Sequence, residues 1–211
     1  MIGIFGGTFD PVHYGHLRSA LEVKDIFGLT EVRLIPCANP PHREQPAVTA
    51  KMRVQMLELA IKNQPDLKID TRELDRYGLH QAPSYMVDTL ESLRQEFLTD
   101  PLLLFIGTDA FKYLTGWYEW QRLFDYAHIV VMTRPGIETQ TLNDFLKVRL
   151  TGEIKDLMQV ISGKLCFSHV TQLDISATAI RNIIARKQNP GFLLPDAVIE
   201  YIKQHQLYET H

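Results

Sequence analysis

The sequence predicts an α/β protein with a doubly wound parallel sheet and helices on both faces. Short apolar, β-branched segments alternate along the chain with longer segments in which apolar residues recur at helical spacing. This alternation of strands and helices is typical of a parallel sheet. The hydrophobic fraction of the 211 residues is 45% and the charged fraction is 22%, which is ordinary for a globular protein and allows a buried core.

Six segments have the composition of buried strands, and two have clear helical periodicity. The predicted strands are Ile2–Phe5, Val32–Ile35, Leu67–Asp70, Leu102–Ile106, Ile129–Met132 and Leu165–Phe167. Helices are predicted where Met52, Met56 and Leu59 recur at i, i+4 and i+7, and where Met86, Leu90, Leu93 and Phe97 recur at i, i+4, i+7 and i+11.

The C-terminal part of the chain is predicted to be helical. Ser176 is the expected N-cap of one helix, and Pro195 stands at the first turn of the last one. Residues 134–144 have mixed polarity and are predicted to form a surface loop. We predict one domain over residues 1–211, with a small helical portion at about 175–211.

Composition and charge exclude several classes of function. The net charge of −3 provides no basic surface for nucleic acid. The chain contains no run of about 18 apolar residues, and its first residues lack the pattern of a signal peptide, so we expect no membrane span and a cytoplasmic location. Cys37 and Cys166 are expected to be free thiols. The sequence gives no indication of the oligomeric state.

Polar or glycine-containing loops follow four of the predicted strands. They contain Gly6-Gly7, Pro40-Pro41-His42-Arg43, Gly107-Thr108-Asp109 and Thr133-Arg134-Pro135-Gly136. Open parallel sheets bind ligands beyond the carboxyl ends of their strands, near the point where the strand order reverses. We therefore expect the binding site at this edge of the sheet.

The loop after the first strand has the properties of a phosphate site. Glycines at the end of a buried strand allow the backbone to approach a phosphate closely. His13 and His16 are three residues apart, which on one helical turn places them on one face, and Gly15 between them leaves room for a ligand. The sequence is neither a P-loop nor a dinucleotide-binding glycine motif. The alternative is an ordinary turn with solvated histidines.

Two segments carry a family resemblance. GGTFDPVHYGHL, at residues 6–17, resembles the signature of the HxGH nucleotidyltransferases, which have a Rossmann-like α/β sheet. Ile175–Arg181 resembles the second signature of that superfamily, I-S-S-T-x-I-R, with Ala177 in place of a serine. The change removes a hydroxyl group but keeps the backbone N–H that a helix N-terminus offers to a phosphate. The long form of the first signature is typical of pyridine-nucleotide and phosphopantetheine adenylyltransferases.

Three further segments resemble bacterial nicotinate mononucleotide adenylyltransferases. Pro40–Arg43 is similar to their P-P-H-[KR] loop, and residues 82–90 are similar to their P-S-Y-T-x-D-T-L segment. Met86 replaces the threonine of that segment, at a position where the family holds the nicotinate carboxylate largely through backbone N–H. Trp117-Tyr118 is similar to the aromatic pair that stacks on the pyridine ring, although core packing is the alternative for both side chains.

The resemblance implies adenylyl transfer from ATP to nicotinate mononucleotide, giving deamido-NAD and pyrophosphate. It implies catalytic roles for His13, His16 and Arg181. Expected ATP-binding residues are Gly6, Gly7, Thr8, Phe9, Ile106, Gly107, Asp109, Ser176 and Thr178, and expected mononucleotide-binding residues are Arg43, Ser84, Tyr85, Met86, Trp117, Tyr118 and Arg134. Mg²⁺ is expected to enter with ATP rather than in a dedicated protein cage.

Other functions remain open from the sequence. The second substrate could be nicotinamide mononucleotide or phosphopantetheine instead. The chain could also be a nucleotide-binding regulator without turnover, although the intact His13 and His16 count against this. Kinship with aminoacyl-tRNA synthetases raises a role with nucleic acid, which the net charge opposes. Asp10 is a candidate either for the metal or for capping the loop.

Overall fold

A parallel sheet of seven strands lies at the centre of the protein's computed structural model. The structure describes residues 1–38, 45–80, 83–133, 142–171 and 173–209. The strands are β1 (Ile2–Gly7), β2 (Glu31–Pro36), β3 (Leu67–Ile69), β4 (Leu102–Gly107), β5 (His128–Thr133), β6 (Leu150–Thr151) and β7 (Leu165–His169). They are ordered β3-β2-β1-β4-β5-β7-β6, and every neighbouring pair is parallel.

The predicted fold class and all six predicted strands are confirmed. The strand that sequence reasoning missed is β6, at the edge of the sheet. It is only two residues long, and Leu150 is 49% exposed. A strand this short and this exposed has neither the length nor the apolar composition that marks a buried strand in a sequence.

Ten α-helices surround the sheet in the described residues. They are α1 (Tyr14–Phe27), α2 (Ala50–Ile61), α3 (Arg72–His80), α4 (Met86–Glu96), α5 (Thr108–Lys112), α6 (Leu123–Tyr126), α7 (Asp144–Lys147), α8 (Ile154–Gln159), α9 (Ala177–Ala185) and α10 (Asp196–Gln204). Ser176 caps α9 as predicted, since its hydroxyl accepts a hydrogen bond from the Ala179 N–H at 3.2 Å. Pro195 directly precedes α10.

The two faces of the sheet carry separate apolar cores. Strand β4 shows the division, because Leu103 and Phe105 point to one core while Leu104 points to the other. The first core also contains residues of α1, α2, α8, α9 and α10, and the second contains residues of α4, α5, α6 and α7. Covering both faces explains why the inner strands are apolar throughout.

The strand order places the carboxyl ends of β1 and β4 side by side in the middle of the sheet. From β1 the chain moves outward to β2 and β3, and it then returns to the other side of β1 with β4. A ligand crevice is expected where the order reverses in this way. Cys37 and Cys166 are not joined in a disulfide bond, as predicted. Within the described ranges, no helix is long and apolar enough to cross a membrane.

Candidate active site

The loop after β1 is shaped by close packing against its own side chains. A methyl group on Gly7 would lie 2.9 Å from the ring of Phe9, so space alone requires glycine there. Phe9 adopts a φ of 50°, and its ring is buried. The ring therefore supports the loop from the inside, and the part of Phe9 that a nucleotide could reach is the backbone. Gly6 is exposed at the end of the strand.

His13 and His16 lie face to face at the start of α1. Their ring centroids are 3.7 Å apart, and the rings are nearly parallel. The sequence had suggested that His13 is part of the helix, but it is not. It is the extended residue that precedes the helix, with φ −148° and ψ 169°. The two side chains still meet, because His16 occupies the third helical position and its Nδ1 accepts a hydrogen bond from the His13 N–H at 3.3 Å.

The His13 ring is held in an apolar setting. It is 5% exposed, and burial lowers the pKa of its imidazole to about 4, so the ring is neutral at pH 7. The His13 side chain faces the backbone N–H of His16 in a capping box, and its Nδ1 makes no well-formed hydrogen bond with the described residues. A methyl group on Gly15 would lie 2.9 Å from that nitrogen, so Gly15 lets the ring lie directly on the helix backbone.

The second signature opens helix α9. Ser176 is occupied as the cap, while Thr178 is exposed in the first turn. Arg181 lies one turn further along and donates from Nη2 to the Thr178 hydroxyl at 3.3 Å. The N-terminus of α9 thus presents backbone N–H groups, a hydroxyl and a guanidinium together, and these are donors suited to phosphate oxygens.

The two signatures are in contact although they are far apart in the sequence. Arg181 donates from Nη1 to the main-chain carbonyl of Asp10 at 2.7 Å. A methyl group on Gly15 would lie 3.5 Å from the carbonyl oxygen of Ile175. The N-terminal ends of α1 and α9 therefore meet beside the loop that follows β1.

Asp10 fixes this loop to two other segments. Its Oδ1 accepts a hydrogen bond from the Tyr208 hydroxyl and its Oδ2 accepts one from the Ala47 N–H, each at 2.6 Å. The side chain is also buried, with 3% exposure of the residue. Of the two roles considered for Asp10, the geometry favours the structural one.

A buried arginine lies on the same inner side of the loop. Arg53 of α2 is 1% exposed, and its Nη1 donates to the carbonyl of Thr8 at 2.7 Å. Its Nε has no partner among the described residues. Burial lowers the pKa of the guanidinium, whereas the nearby Asp10 carboxylate acts in the opposite direction. The carbonyl of Thr8 is therefore held from inside, which leaves the outer side of the loop for a ligand.

The expected adenine and ribose residues lie at the end of β4. Ile106 is buried, and Gly107 is the N-cap residue of α5. A methyl group on Gly107 would meet no described atom within 4 Å. The Asp109 carboxylate is 95% exposed, and its Oδ1 lies 3.6 Å from Lys112 Nζ. An exposed carboxylate of this kind can accept hydrogen bonds from hydroxyl groups.

The expected pyridine residues come together from two distant segments. The rings of Tyr85 and Tyr118 are in contact, with their centroids 4.6 Å apart and their planes tilted by 34°. Tyr118 is 53% exposed, while Trp117 is partly buried against the second core. Met86 is the first residue of α4, and its methyl group would lie 3.0 Å from a methyl group on Gly6. The start of α4 is thus adjacent to the end of β1.

The start of α4 is anchored by a buried polar cluster. The Thr89 hydroxyl donates to Glu73 Oε1 and accepts from Arg76 Nη2, each at 2.8 Å. Glu73 is 3% exposed, and its burial raises the pKa of the carboxyl group. Ser84, just before the helix, is also buried. These contacts join α3 to α4 and fix the first turn of α4.

Some expected site residues lie outside the described part of the chain. They are Arg43 and Arg134. Pro40, Pro41 and His42, which precede Arg43 in the same motif, also lie outside it. Their roles in binding the mononucleotide or ATP stay predictions. No group of His, Cys, Asp and Glu suitable for a metal ion occurs among the residues that the structure covers.

Comparison with known proteins decides the family. Residues 4–183 match the cytidylyltransferase-like family. The chain is 46% identical over 212 residues to a probable nicotinate-nucleotide adenylyltransferase of Methylococcus capsulatus, with 99% of each chain covered. It is 45% identical to the Pseudomonas aeruginosa protein of the same name, with 99% and 97% covered. The chain belongs to the nicotinate-nucleotide adenylyltransferases. The resemblance inferred from the sequence is confirmed.

Solved structures of this family share the fold. Plasmodium falciparum nicotinic acid mononucleotide adenylyltransferase complexed with NaAD superposes with a TM-score of 0.72 and 18% identity, covering 98% of this chain and 96% of that one. A Vibrio parahaemolyticus protein described as a putative nicotinate-nucleotide adenylyltransferase has a TM-score of 0.66 and 15% identity. At such low identity, these likenesses concern the fold alone.

Sequence reasoning missed the residues behind the loop, namely Arg53 and Tyr208. Arg53 did carry a signal. It stands three residues before Met56 and four before Leu57, so it shares a face with two residues that are fully buried in α2. A charged residue on an apolar helix face indicates a specific partner. Tyr208 carried no local signal, because its partner is 198 positions away.

Proposed function

We propose that this chain transfers the adenylyl group of ATP to nicotinate mononucleotide, giving deamido-NAD and pyrophosphate. Family membership supports the reaction class. The observation that carries the proposal is the contact between the two signature segments, made by the hydrogen bond from Arg181 to the carbonyl of Asp10. Two helix N-termini that converge on one loop form a site for a polyphosphate.

The chemistry requires positioning more than proton transfer. A phosphate oxygen of the mononucleotide attacks the α-phosphorus of ATP and forms a new P–O bond. The bond from that phosphorus to the bridging oxygen breaks, and its electron pair leaves with pyrophosphate. Since the second pKa of a phosphate monoester is about 6, the nucleophile is already largely a dianion at pH 7 and needs no general base. The protein must hold two anions together and stabilise the charge of the transition state.

The histidines and Arg181 are the proposed donors to the triphosphate. His16 is half-buried at the third position of α1, and we assign it to the α-phosphoryl group that is transferred. His13 is neutral in the free protein, so it offers one N–H rather than a positive charge. Arg181, Ser176 and Thr178 would hold the β- and γ-phosphates. By analogy with one lost oxyanion donor, each essential contact is worth about 10²–10³ in rate.

The remaining parts of ATP are assigned to the loop after β1 and the end of β4. Gly6, Gly7 and the backbone of Thr8 and Phe9 would approach the phosphates. Ile106 and Gly107 would flank the adenine, and the exposed Asp109 carboxylate would accept hydrogen bonds from ribose hydroxyls. A carboxylate at that point would repel phosphate, which is why we assign it to the sugar.

The pyridine mononucleotide is assigned to the start of α4 and the neighbouring aromatic residues. The first N–H groups of a helix attract an anion, and nicotinate differs from nicotinamide by a carboxylate. Ser84, Tyr85 and Met86 immediately precede or begin α4, so their backbone can meet that carboxylate. Trp117 and Tyr118 would contact the ring, where Tyr118 already lies against Tyr85 with the two rings tilted by 34°.

We propose that the divalent metal arrives as part of the substrate, as MgATP. Asp10, the acidic residue of the loop, uses both carboxylate oxygens for hydrogen bonds to Ala47 and Tyr208. Mg²⁺ bound mainly by phosphate oxygens and water fits this arrangement. Cys37 and Cys166 form no disulfide bond, which is in keeping with a reducing compartment, and we propose that the reaction takes place in the cytoplasm.

A side-by-side assay of two mononucleotides tests the proposal. Purified protein with MgATP should release pyrophosphate and form deamido-NAD with nicotinate mononucleotide, and its kcat/KM should be lower for nicotinamide mononucleotide. His16→Ala should lower turnover by at least tenfold while the thermal melting temperature stays within a few degrees. ATP binding without release of pyrophosphate from ATP, in the presence of either mononucleotide, would contradict the proposal and favour a nucleotide-binding regulator.

A further inference from the structure

The last turn of the chain reaches back to the loop of the adenylyl-transfer site. After α10 the chain passes through Gln206 with a φ of 51° and Tyr208 with a φ of 64°. Left-handed backbone of this kind is unfavourable for a residue with a Cβ. Leu207 between them is buried in the first core. The tail is therefore held in an unfavourable backbone conformation by its tertiary contacts.

These contacts point the Tyr208 hydroxyl at Asp10. The hydroxyl donates to Asp10 Oδ1 at 2.6 Å, a short hydrogen bond to a charged acceptor. Burial and the Asp10 carboxylate raise the pKa of Tyr208 well above its usual range, so the hydroxyl stays a donor. Asp10 is the residue whose carbonyl accepts from Arg181. One residue thus connects the C-terminal tail to a guanidinium of the phosphate site.

We propose that Tyr208 is a positioning residue of the adenylyl-transfer site. It acts through Asp10 and thereby sets the place of the Arg181 guanidinium and of the loop backbone from Thr8 to Asp10. The proposal rests on the proposed function for its turnover readout, but its binding readout needs only ATP. Tyr208 itself packs against the first core and is given no contact with substrate.

The expected effect follows from the geometry of the contact. In Tyr208→Phe the Asp10 carboxylate keeps the Ala47 N–H but loses the Tyr208 hydroxyl, so fewer of the contacts that the described residues make hold it in place. A displacement of about 1 Å at a site of this kind costs about 10²-fold in rate. We expect a smaller shift and a fall of about tenfold in kcat/KM for ATP. The KM for the mononucleotide should not change, because its proposed site is at α4.

Tyr201→Phe is a matched control. Tyr201 of α10 is 9% exposed, and its hydroxyl donates to Gln55 Oε1 of α2. This contact joins the C-terminal region to α2 rather than to the loop. Loss of either hydroxyl removes a hydrogen bond of the C-terminal region and should lower the melting temperature. Only the loss at Tyr208 should change the phosphate site.

The test compares wild type, Tyr208→Phe and Tyr201→Phe by three measurements: thermal melting, calorimetric titration with a non-hydrolysable ATP analogue and Mg²⁺, and steady-state turnover. Weaker analogue binding and about tenfold lower kcat/KM for ATP in Tyr208→Phe alone would support the proposal. Equal binding and turnover in the two variants would overturn it. A wild type that binds the analogue but forms no deamido-NAD would instead refute the proposed function, and the binding comparison would still decide the role of Tyr208.

A double-mutant cycle tests the route through Asp10. In an Asp10→Ala background, Tyr208→Phe should cause no further loss of analogue affinity, because the side chain that accepts the Tyr208 hydrogen bond is already absent. A further loss equal to that seen in the wild-type background would overturn the route. If Asp10→Ala melts below the assay temperature, the comparison of the two tyrosine variants decides the proposal alone.

Discussion

Gly15→Ala should damage catalysis while leaving the fold intact. Gly15 is the second residue of α1, a position whose backbone any amino acid can adopt. The added methyl group would lie 2.9 Å from His13 Nδ1 and 3.0 Å from its Cε1, where an ordinary contact is 3.4–4 Å. The ring must therefore move by about half an ångström. Because His13 stacks on His16 at 3.7 Å, the displacement passes to the second histidine.

The magnitudes favour a specific loss of activity. Since about 1 Å of misplacement costs about 10²-fold in rate, half of it should lower kcat by about tenfold. Alanine stabilises a helix by about 1 kcal/mol relative to glycine. Repacking of a crowded site costs about 1–3 kcal/mol. The net free energy of unfolding should therefore fall by no more than about 2 kcal/mol.

Gly78→Ala is the control for this variant. Gly78 is also helical, in α3, but a methyl group there would meet no described atom within 4 Å. Pyrophosphate release under saturating substrates and urea unfolding would be measured for both variants. Gly78→Ala should keep the wild-type kcat. A kcat for Gly15→Ala equal to that of Gly78→Ala would refute the idea that Gly15 is needed to seat the His13 ring.

Three further outcomes are expected. Trp117→Ala should raise the KM for the mononucleotide more than the KM for ATP, measured with each substrate varied in turn; equal rises would mean that the indole only packs against the core. Gly107→Ala should raise the KM for ATP several-fold. It should not lower the melting temperature, because the φ of −75° suits alanine and the methyl group meets no described atom within 4 Å. An unchanged KM would place the adenine elsewhere. Burial lowers the pKa of His13 from 6.5 to about 4, so the unfolded chain binds more protons between these values. The contribution of the neutral ring to the free energy of unfolding is therefore highest above about pH 6.5, and it falls by about 3 kcal/mol as the pH drops from about 6.5 to about 4. Urea unfolding of His13→Asn should show a shallower decline over this range, and identical slopes would contradict the assignment.

The sequence by itself determined the sheet and the family. Buried strands such as Leu102–Ile106 are recognisable because burial on both faces demands an apolar residue at every position. The cap at Ser176 could be predicted for a similar reason, since the partner of its hydroxyl is only three residues away. The two signatures could be paired by their resemblance to known families, and the comparisons confirm that family. The expected site residues follow from the same resemblance and stay predictions.

Only the tertiary structure decided how the loop is held. The pairing of His13 with His16 was expected from helical spacing, but it arises from an extended residue stacked on the third residue of the helix. Tyr208 and Arg53 reach the loop from 198 and 45 positions away. Periodicity and capping act within a few residues and leave a trace in a short stretch of sequence. A hydrogen bond across the fold leaves none, because it exists only once the core has brought its two ends together.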